Sequence, residues 1–236
     1  MHHLLQNLDK YGLAADNVRF DLSKVVARSR KVAKRLSAGG AHLMKKNKVT
    51  VLEGHAHLSG VGVVTGERDG KTLAELKATN IILATGARAR ELPILAGSNE
   101  LVWTSREAMV PETMPKSLLV VGSGAIGIEF ASFYRQMGAE LTVVEVVNRI
   151  LPAEDEEISA LAAKTFSKQG IRILTGAKLR AIKSIKNGIS ATVITSDGNE
   201  EVITVERVIS AVGITGNVVN LGLEDVAGII DKSSEI

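Results

Sequence analysis

Residues Leu118 to Glu145 read LLVVGSGAIGIEFASFYRQMGAELTVVE, and this stretch decides the fold. An apolar run leads into glycines at Gly122, Gly124 and Gly127. An amphipathic segment follows, and then a second apolar run, LTVVE, that stops on a carboxylate. Strand, glycine-rich corner, helix and second strand in that order form the dinucleotide-binding fingerprint. Each glycine has its own task. Gly122 allows the tight turn out of the strand, Gly124 removes a side chain where a pyrophosphate approaches the backbone, and Gly127 lets the helix pack close to the strand. The helix N-terminus then offers unpaired N–H groups and the positive end of its dipole to a diphosphate. The 3.6-residue period predicts a buried stripe of Ile126, Phe130, Phe133 and Met137.

Glu145 ends the second predicted strand. A carboxylate there accepts the ribose hydroxyls of an adenosine and repels a 2′-phosphate, which favours NAD(H) over NADP(H). The competing reading is an ordinary glycine turn, with Glu145 facing water. Glu129, early in the helix, also has two readings: it complements the helix dipole, or it reaches toward the nicotinamide end of a bound dinucleotide. The run Glu154, Asp155, Glu156 and Glu157 after Pro152 opens a second helix and is read as dipole complementation, not as a catalytic carboxylate pair.

Outward from this core, the bulk numbers are those of a globular protein. The chain has 236 residues, 45% hydrophobic and 23% charged. Aromatic residues make up only 3%, which argues against base-stacking surfaces, and a net charge of +3 is no sign of a nucleic-acid partner. No apolar run nears the ~20 residues of a membrane span. The start, MHHLLQNLDKYG, lacks the regions of a secretory signal. Without a cysteine the chain has no disulfide, no thiolate nucleophile and no cysteine-based metal site. His55 and His57 share a face if that segment is a strand, but no third ligand is near, so no metal site is assigned.

Residues 22–46 read as a helix, with Ser23 as N-cap and Gly39–Gly40 as a point of bending or interruption. Its charges Arg28, Arg30, Lys31, Lys34 and Arg35 are read as a solvated face, with phosphate or partner contact as the lesser reading. VTVLEG, GVGVVTG and TNIILATG are expected strands between turns. VPETMPKS, residues 110–117, holds two of the four prolines and is the linker expected between domains. Beyond it the order is strand, helix, strand, helix, strand. Hairpins around Lys186–Asn187–Gly188 and Asp197–Gly198 then build a small antiparallel meander, and VERVISAVG adds a last buried strand.

Three motifs in this order resemble the FAD-dependent pyridine nucleotide-disulfide oxidoreductases: TNIILATGARARELP, VVGSGAIGIEFASFYRQMGAELTVVEVVNRILPAEDEEI and VISAVGITGNVVNLGLED. The segment KKNKVTVLEGHAHL is similar as well, and the nearest branch is that of the dihydrolipoyl dehydrogenases. The resemblance implies an α/β fold in which a three-layer Rossmann-like NAD-binding domain, residues 115–236, is inserted in a partial FAD-binding domain, residues 1–114, alongside the antiparallel meander. It implies that NAD meets Gly122, Ser123, Gly124, Ala125, Ile126, Gly127, Ile128, Glu129 and Glu145. Leu179 would lie against the adenine, and Gly213 near the nicotinamide. For FAD it implies Thr85, Gly86 and Ala87, with Ala56 beside the adenine. It also tilts Glu129 toward the nicotinamide.

The departures set the functional expectation. Members of the family carry, upstream, a first glycine fingerprint for FAD, a CxxxxC redox pair and a lysine beside the flavin. Downstream they carry a second FAD contact and an interface domain with a His–Glu base. None of these is in this sequence, so the chain is expected to be an internal fragment that binds NAD, holds an incomplete FAD site and has no catalytic residue of its own. For the parent, the resemblance implies oxidation of the dihydrolipoamide on the lipoyl domain of a 2-oxo acid dehydrogenase complex through a disulfide and FAD to NAD+. It also implies a homodimer and a cytoplasmic or mitochondrial-matrix location. The alternatives are another reductase or transhydrogenase of the superfamily, or a self-standing nucleotide-binding module with a sensing role.

Overall fold

A computed structural model describes residues 2–5, 7–95 and 100–226. The chain divides into two compact units, one of Met1–Ser29 with Ala89–Gly213 and one of Arg30–Arg88 with Ile214–Ile236. In sequence, the two units are therefore interleaved, each interrupting the other. The helices are α1 (His2–Leu5), α2 (Leu22–Lys46), α3 (Ser105–Ala108), α4 (Ala125–Gln136) and α5 (Glu156–Lys168). The strands are β1 (His55–Gly60), β2 (Val63–Arg68), β3 (Lys71–Lys77), β4 (Ala87–Ala89), β5 (Val102–Trp103), β6 (Ser117–Val121) and β7 (Glu140–Val144). They continue with β8 (Ile171–Leu174), β9 (Lys178–Ile185), β10 (Gly188–Ile194), β11 (Glu200–Val205), β12 (Arg207–Ser210) and β13 (Ile214–Gly216).

The first unit is built on a parallel sheet in the order β5-β12-β6-β7-β8. Leu118 stands opposite Leu141, Val121 opposite Val144, and Val144 opposite Leu174. A parallel sheet is covered on both faces, which is why Leu118 to Val121 of β6 are an unbroken apolar run. Successive side chains alternate between the faces. Leu119, Val121 and Val144 pack with Leu179, Ile189, Ala191, Val193 and Val205 of the antiparallel meander β11-β10-β9. Leu118, Val120, Leu141 and Val143 pack with Ala131 and Tyr134 of α4. The meander thus packs on one face of the parallel sheet and α4 on the other. The acidic run behaves as read: the Asp155 carboxylate accepts from the N–H groups of Glu157 and Ile158 at 2.9 and 3.4 Å, capping α5. VPETMPKS lies inside this unit, between α3 and β6.

The buried face of α4 differs from the predicted stripe. Gly127, Ile128, Ala131 and Tyr134 face inward, whereas Ile126 and Phe133 are each 38% exposed. The small residues Gly127 and Ala131 let the helix come close to the sheet, and close approach outweighs the larger but outward apolar side chains. The short edge strand β5 carries no periodicity long enough to read and was not foreseen.

In the second unit, β1, β2 and β3 form an antiparallel sheet in that order, and β4 pairs with β13. Leu58, Leu221 and Leu223 make its small core, and the Leu58 N–H donates to the Leu221 carbonyl at 2.8 Å. Two predicted strands are absent. Residues 49–54 and 79–86 join no sheet, with Val51 62% and Ile82 90% exposed. A strand needs a neighbouring strand to take its ladder of N–H and C=O groups, and among the described residues neither segment pairs with one; isolated contacts remain, such as the Gly86 carbonyl accepting from the Asn217 N–H. Conversely β3, KTLAELK, was not read as a strand, its charges hiding a piece that is exposed along most of its length.

Helix α2 matches residues 22–46, yet buries none of its residues. Its N-terminal partner is not Ser23 but Asp21, whose carboxylate accepts from the Lys24 N–H at 3.1 Å. Gly39 and Gly40 continue the helix without interruption. No described helix is long and apolar enough to cross a membrane. Among the described residues no group of three or more His, Cys, Asp or Glu side chains is placed to hold a metal ion.

Candidate functional site

The candidate site sits at the corner between β6 and α4, entirely within the first unit. Gly122 has φ of +96°, and a Cβ on it would lie 2.3 Å from the Ala211 carbonyl oxygen. No side chain fits such an approach, and the positive φ favours glycine. A Cβ on Gly127 would lie 2.0 Å from the Gly122 carbonyl oxygen. Gly124 is different, since a Cβ there meets nothing within 4 Å. Two glycines are therefore demanded by the fold, and the third opens a space that the fold does not use.

That space lies over the start of α4. Gly124 is the N-cap and supplies no side-chain acceptor. The N–H groups of Ala125, Ile126 and Gly127 belong to the first turn, which has no intrahelical acceptors. Bare amides, the dipole end and the open glycine together are chemically suited to a diphosphate. The Ile128 N–H is engaged, donating to the Gly124 carbonyl at 3.0 Å.

Glu145 lies one strand over, at the end of β7, and is only 7% exposed. The Ser123 N–H and the Ser123 hydroxyl both donate to its Oε2 at 2.7 Å. The Val147 N–H donates to its Oε1 at 3.1 Å. Ser123 itself is fully buried, and its carbonyl accepts from the Leu151 N–H at 2.9 Å. Its side chain therefore faces Glu145 and not the open side of the corner. Sequence reasoning placed Ser123 among the ligand contacts and missed this pairing, which joins residues 22 apart in the chain.

The other sequence-derived positions are spread more widely. Glu129 is exposed on α4, and among the described residues no side-chain hydrogen bond or ion pair holds its carboxylate. Leu179 is 7% exposed and packs into the core between the meander and the sheet. Gly213 has φ of +111°, and its carbonyl accepts from the Arg90 N–H at 3.0 Å. Of the positions expected to meet FAD, Thr85, Gly86 and Ala87 lie in the second unit. The Thr85 hydroxyl donates to the Asn217 carbonyl at 2.8 Å, and the Asn217 N–H donates to the Gly86 carbonyl at 3.0 Å. Ala56 lies in β1 opposite Gly66, exposed and in a different sheet.

The sequence profile of the pyridine nucleotide-disulphide oxidoreductases matches residues 4–234. The chain belongs to that family. Among curated members, it is 46% identical over 237 aligned residues to dihydrolipoyl dehydrogenase of Rhizobium etli, covering 94% of this chain and 49% of that protein. With dihydrolipoyl dehydrogenase of Zymomonas mobilis it shares 45% identity, covering 98% of this chain and 50% of the relative. The chain thus spans about half the length of the curated relatives it matches. A crystal structure of LpdA from Mycobacterium tuberculosis superposes with a TM-score of 0.86 at 26% identity, covering 99% of this chain and 51% of that one. The HOCl-induced flavoprotein disulfide reductase RclA from Escherichia coli superposes at 0.80 and 22% identity, covering 99% and 49%, a likeness of fold. The chain is thus an α/β member of an oxidoreductase family, with the β6–α4 glycine corner in its first unit.

Proposed function

We propose that the β6–α4 corner holds NAD(H), with the diphosphate over Gly124 and the first turn of α4, and the adenosine ribose on Glu145. The supporting observation is the asymmetry of the glycines: two are filled by their own backbone surroundings, and Gly124 alone faces open space. A buried carboxylate at the end of the next strand suits ribose hydroxyls and disfavours a 2′-phosphate. When bound, the nicotinamide supplies the hydride-accepting ring. The chain's own residues bind and orient it, and Glu129 is assigned to that end of the site.

In this reading the chain is the NAD-binding and part of the FAD-binding portion of a dihydrolipoyl dehydrogenase. The first unit takes the NAD role, and Ala56, Thr85, Gly86 and Ala87 in the second unit stand on the flavin side. The parent oxidises dihydrolipoamide on a lipoyl domain and passes the electrons through FAD to NAD+ as a homodimer. The two relatives that share 46% and 45% identity support this choice within the family. The 236 residues include no cysteine, so they supply no dithiol for such turnover, and their own contribution is position and electrostatics.

The test separates fold from ligand. Gly124→Ala is expected to keep stability within about 0.5 kcal/mol, as an addition into open space. It should weaken NADH binding at least tenfold, or about 1.4 kcal/mol, in a fluorescence titration. Equal NADH affinity in wild type and Gly124→Ala would remove the diphosphate from this corner.

A further inference from the structure

We infer that Ser123 is a positioning residue that sets coenzyme selectivity through Glu145, and that it does not contact the nucleotide. The inference rests on the dinucleotide reading of the β6–α4 corner and adds to it the residue that orients the ribose-binding carboxylate.

An ionised carboxylate offers about four acceptor positions over its two oxygens. Oε2 of Glu145 receives two donors from one residue, the Ser123 N–H and the Ser123 hydroxyl, each at 2.7 Å. Oε1 receives a single donor, the Val147 N–H at 3.1 Å. The acceptor capacity left for a ligand is therefore on Oε1. The backbone of Glu145 is pinned as well, its N–H donating to the Leu174 carbonyl at 2.8 Å and its carbonyl accepting from the Ala177 N–H at 2.9 Å. With both main chain and Oε2 held, the carboxylate has one orientation.

The serine hydroxyl does not exchange with the ligand. Ser123 is fully buried, and a hydroxyl that left Glu145 would remain buried without a partner, a costly state. Glu145 gains a charge-assisted donor that stays in place whether or not a nucleotide is present. A ribose with a free 2′-hydroxyl then meets a prepared acceptor. A 2′-phosphate meets a fixed negative charge that cannot swing aside. Without the hydroxyl, Oε2 keeps only the backbone donor, and the carboxylate gains freedom to turn away from either ligand. NADH loses a prepared partner, and NADPH loses an obstacle.

The test is a pair of titrations on the 236-residue chain, measuring the dissociation constants of NADH and NADPH by nucleotide fluorescence. Ser123→Ala is expected to lower the NADH-over-NADPH preference about tenfold, equivalent to 1.4 kcal/mol. Ser123→Cys, close in size but a weaker donor, should lower it by less and serves where the alanine variant does not fold. In a Glu145→Ala background the same serine changes should leave the preference where it is, because the residue they act through is gone. A merely structural serine would weaken both nucleotides alike and leave their ratio unmoved, and that result would overturn the inference while the dinucleotide reading stands. A wild-type chain that binds neither nucleotide would instead overturn the reading, and the inference with it.

Discussion

At the scale of single residues, the three glycines of the fingerprint divide by what surrounds them. Gly127→Ala would force a Cβ to within 2.0 Å of the Gly122 carbonyl, and neither atom sits on a flexible side chain. We expect a loss of about 2 kcal/mol or more, from overpacking at a rigid contact, measured by urea denaturation. Gly124→Ala, by contrast, should be nearly silent in the same experiment, so stability and nucleotide affinity separate within one motif. Glu145→Arg should shift preference toward the 2′-phosphorylated coenzyme, since the charge facing the ribose changes sign. Identical NADH and NADPH affinities before and after the change would take Glu145 off the ribose. The glycines and Glu145 were legible in sequence because a strand–turn–helix corner leaves few uses for a missing side chain. Ser123 was not, because its partner is brought to it by the parallel pairing of β6 with β7.

At the scale of elements, α4 is held to the first unit by more than its apolar face. Tyr134 is fully buried, stacks edge-on against Phe133 at 5.1 Å, and donates its hydroxyl to the Ala108 carbonyl at 2.8 Å. Burial pushes that phenol well above its usual range. Tyr134→Phe keeps the ring but leaves the Ala108 carbonyl unpaired, and should cost about 1–2 kcal/mol in denaturation of this unit. A second link joins β8 to β11, where the Arg172 guanidinium donates to Glu201 Oε2 at 2.6 Å. The hydrogen bond from Arg172 holds the Glu201 carboxyl below the ordinary glutamate range, with burial opposing it in part. A depressed folded-state value means that the stabilisation is present above the ordinary glutamate value of 4.5 and is lost as pH falls through the lower folded value. Because Arg172 is half exposed, the pair is worth no more than about 1 kcal/mol. Glu201→Gln should therefore lower the melting temperature slightly at neutral pH, and the gap from wild type should close in acid. A gap that persists well below pH 4.5 would assign the effect to packing.

At the scale of the whole molecule, exposure of apolar residues is uneven. Along α2, Val32 is 49%, Leu36 72% and Leu43 56% exposed, and Ile82 in the segment 79–86, which joins no sheet, is 90% exposed. Surfaces of this kind associate when nothing covers them. The purified 236-residue chain is therefore expected to bind a hydrophobic dye and to self-associate as its concentration rises. Sedimentation showing only monomer over a broad concentration range would contradict this. Substituting charged residues at Leu36 and Leu43 should reduce the association without touching the β6–α4 corner.

The order of elements from β6 to β8 and the glycine corner were written in the sequence, because strand and helix periods and glycine sterics act between near neighbours along the chain. Residues 22–46 and the meander hairpins were legible for the same reason. The tertiary structure alone decided which face of α4 turns inward, since the closeness allowed by Gly127 and Ala131 counts for more than the bulk of Phe133. It alone decided that 49–54 and 79–86 stay outside the sheets, since a strand exists only with a neighbouring strand to bond to. It also decided that the hydroxyl of Ser123 is committed to Glu145, a contact between residues that share no local period and meet only when two parallel strands align.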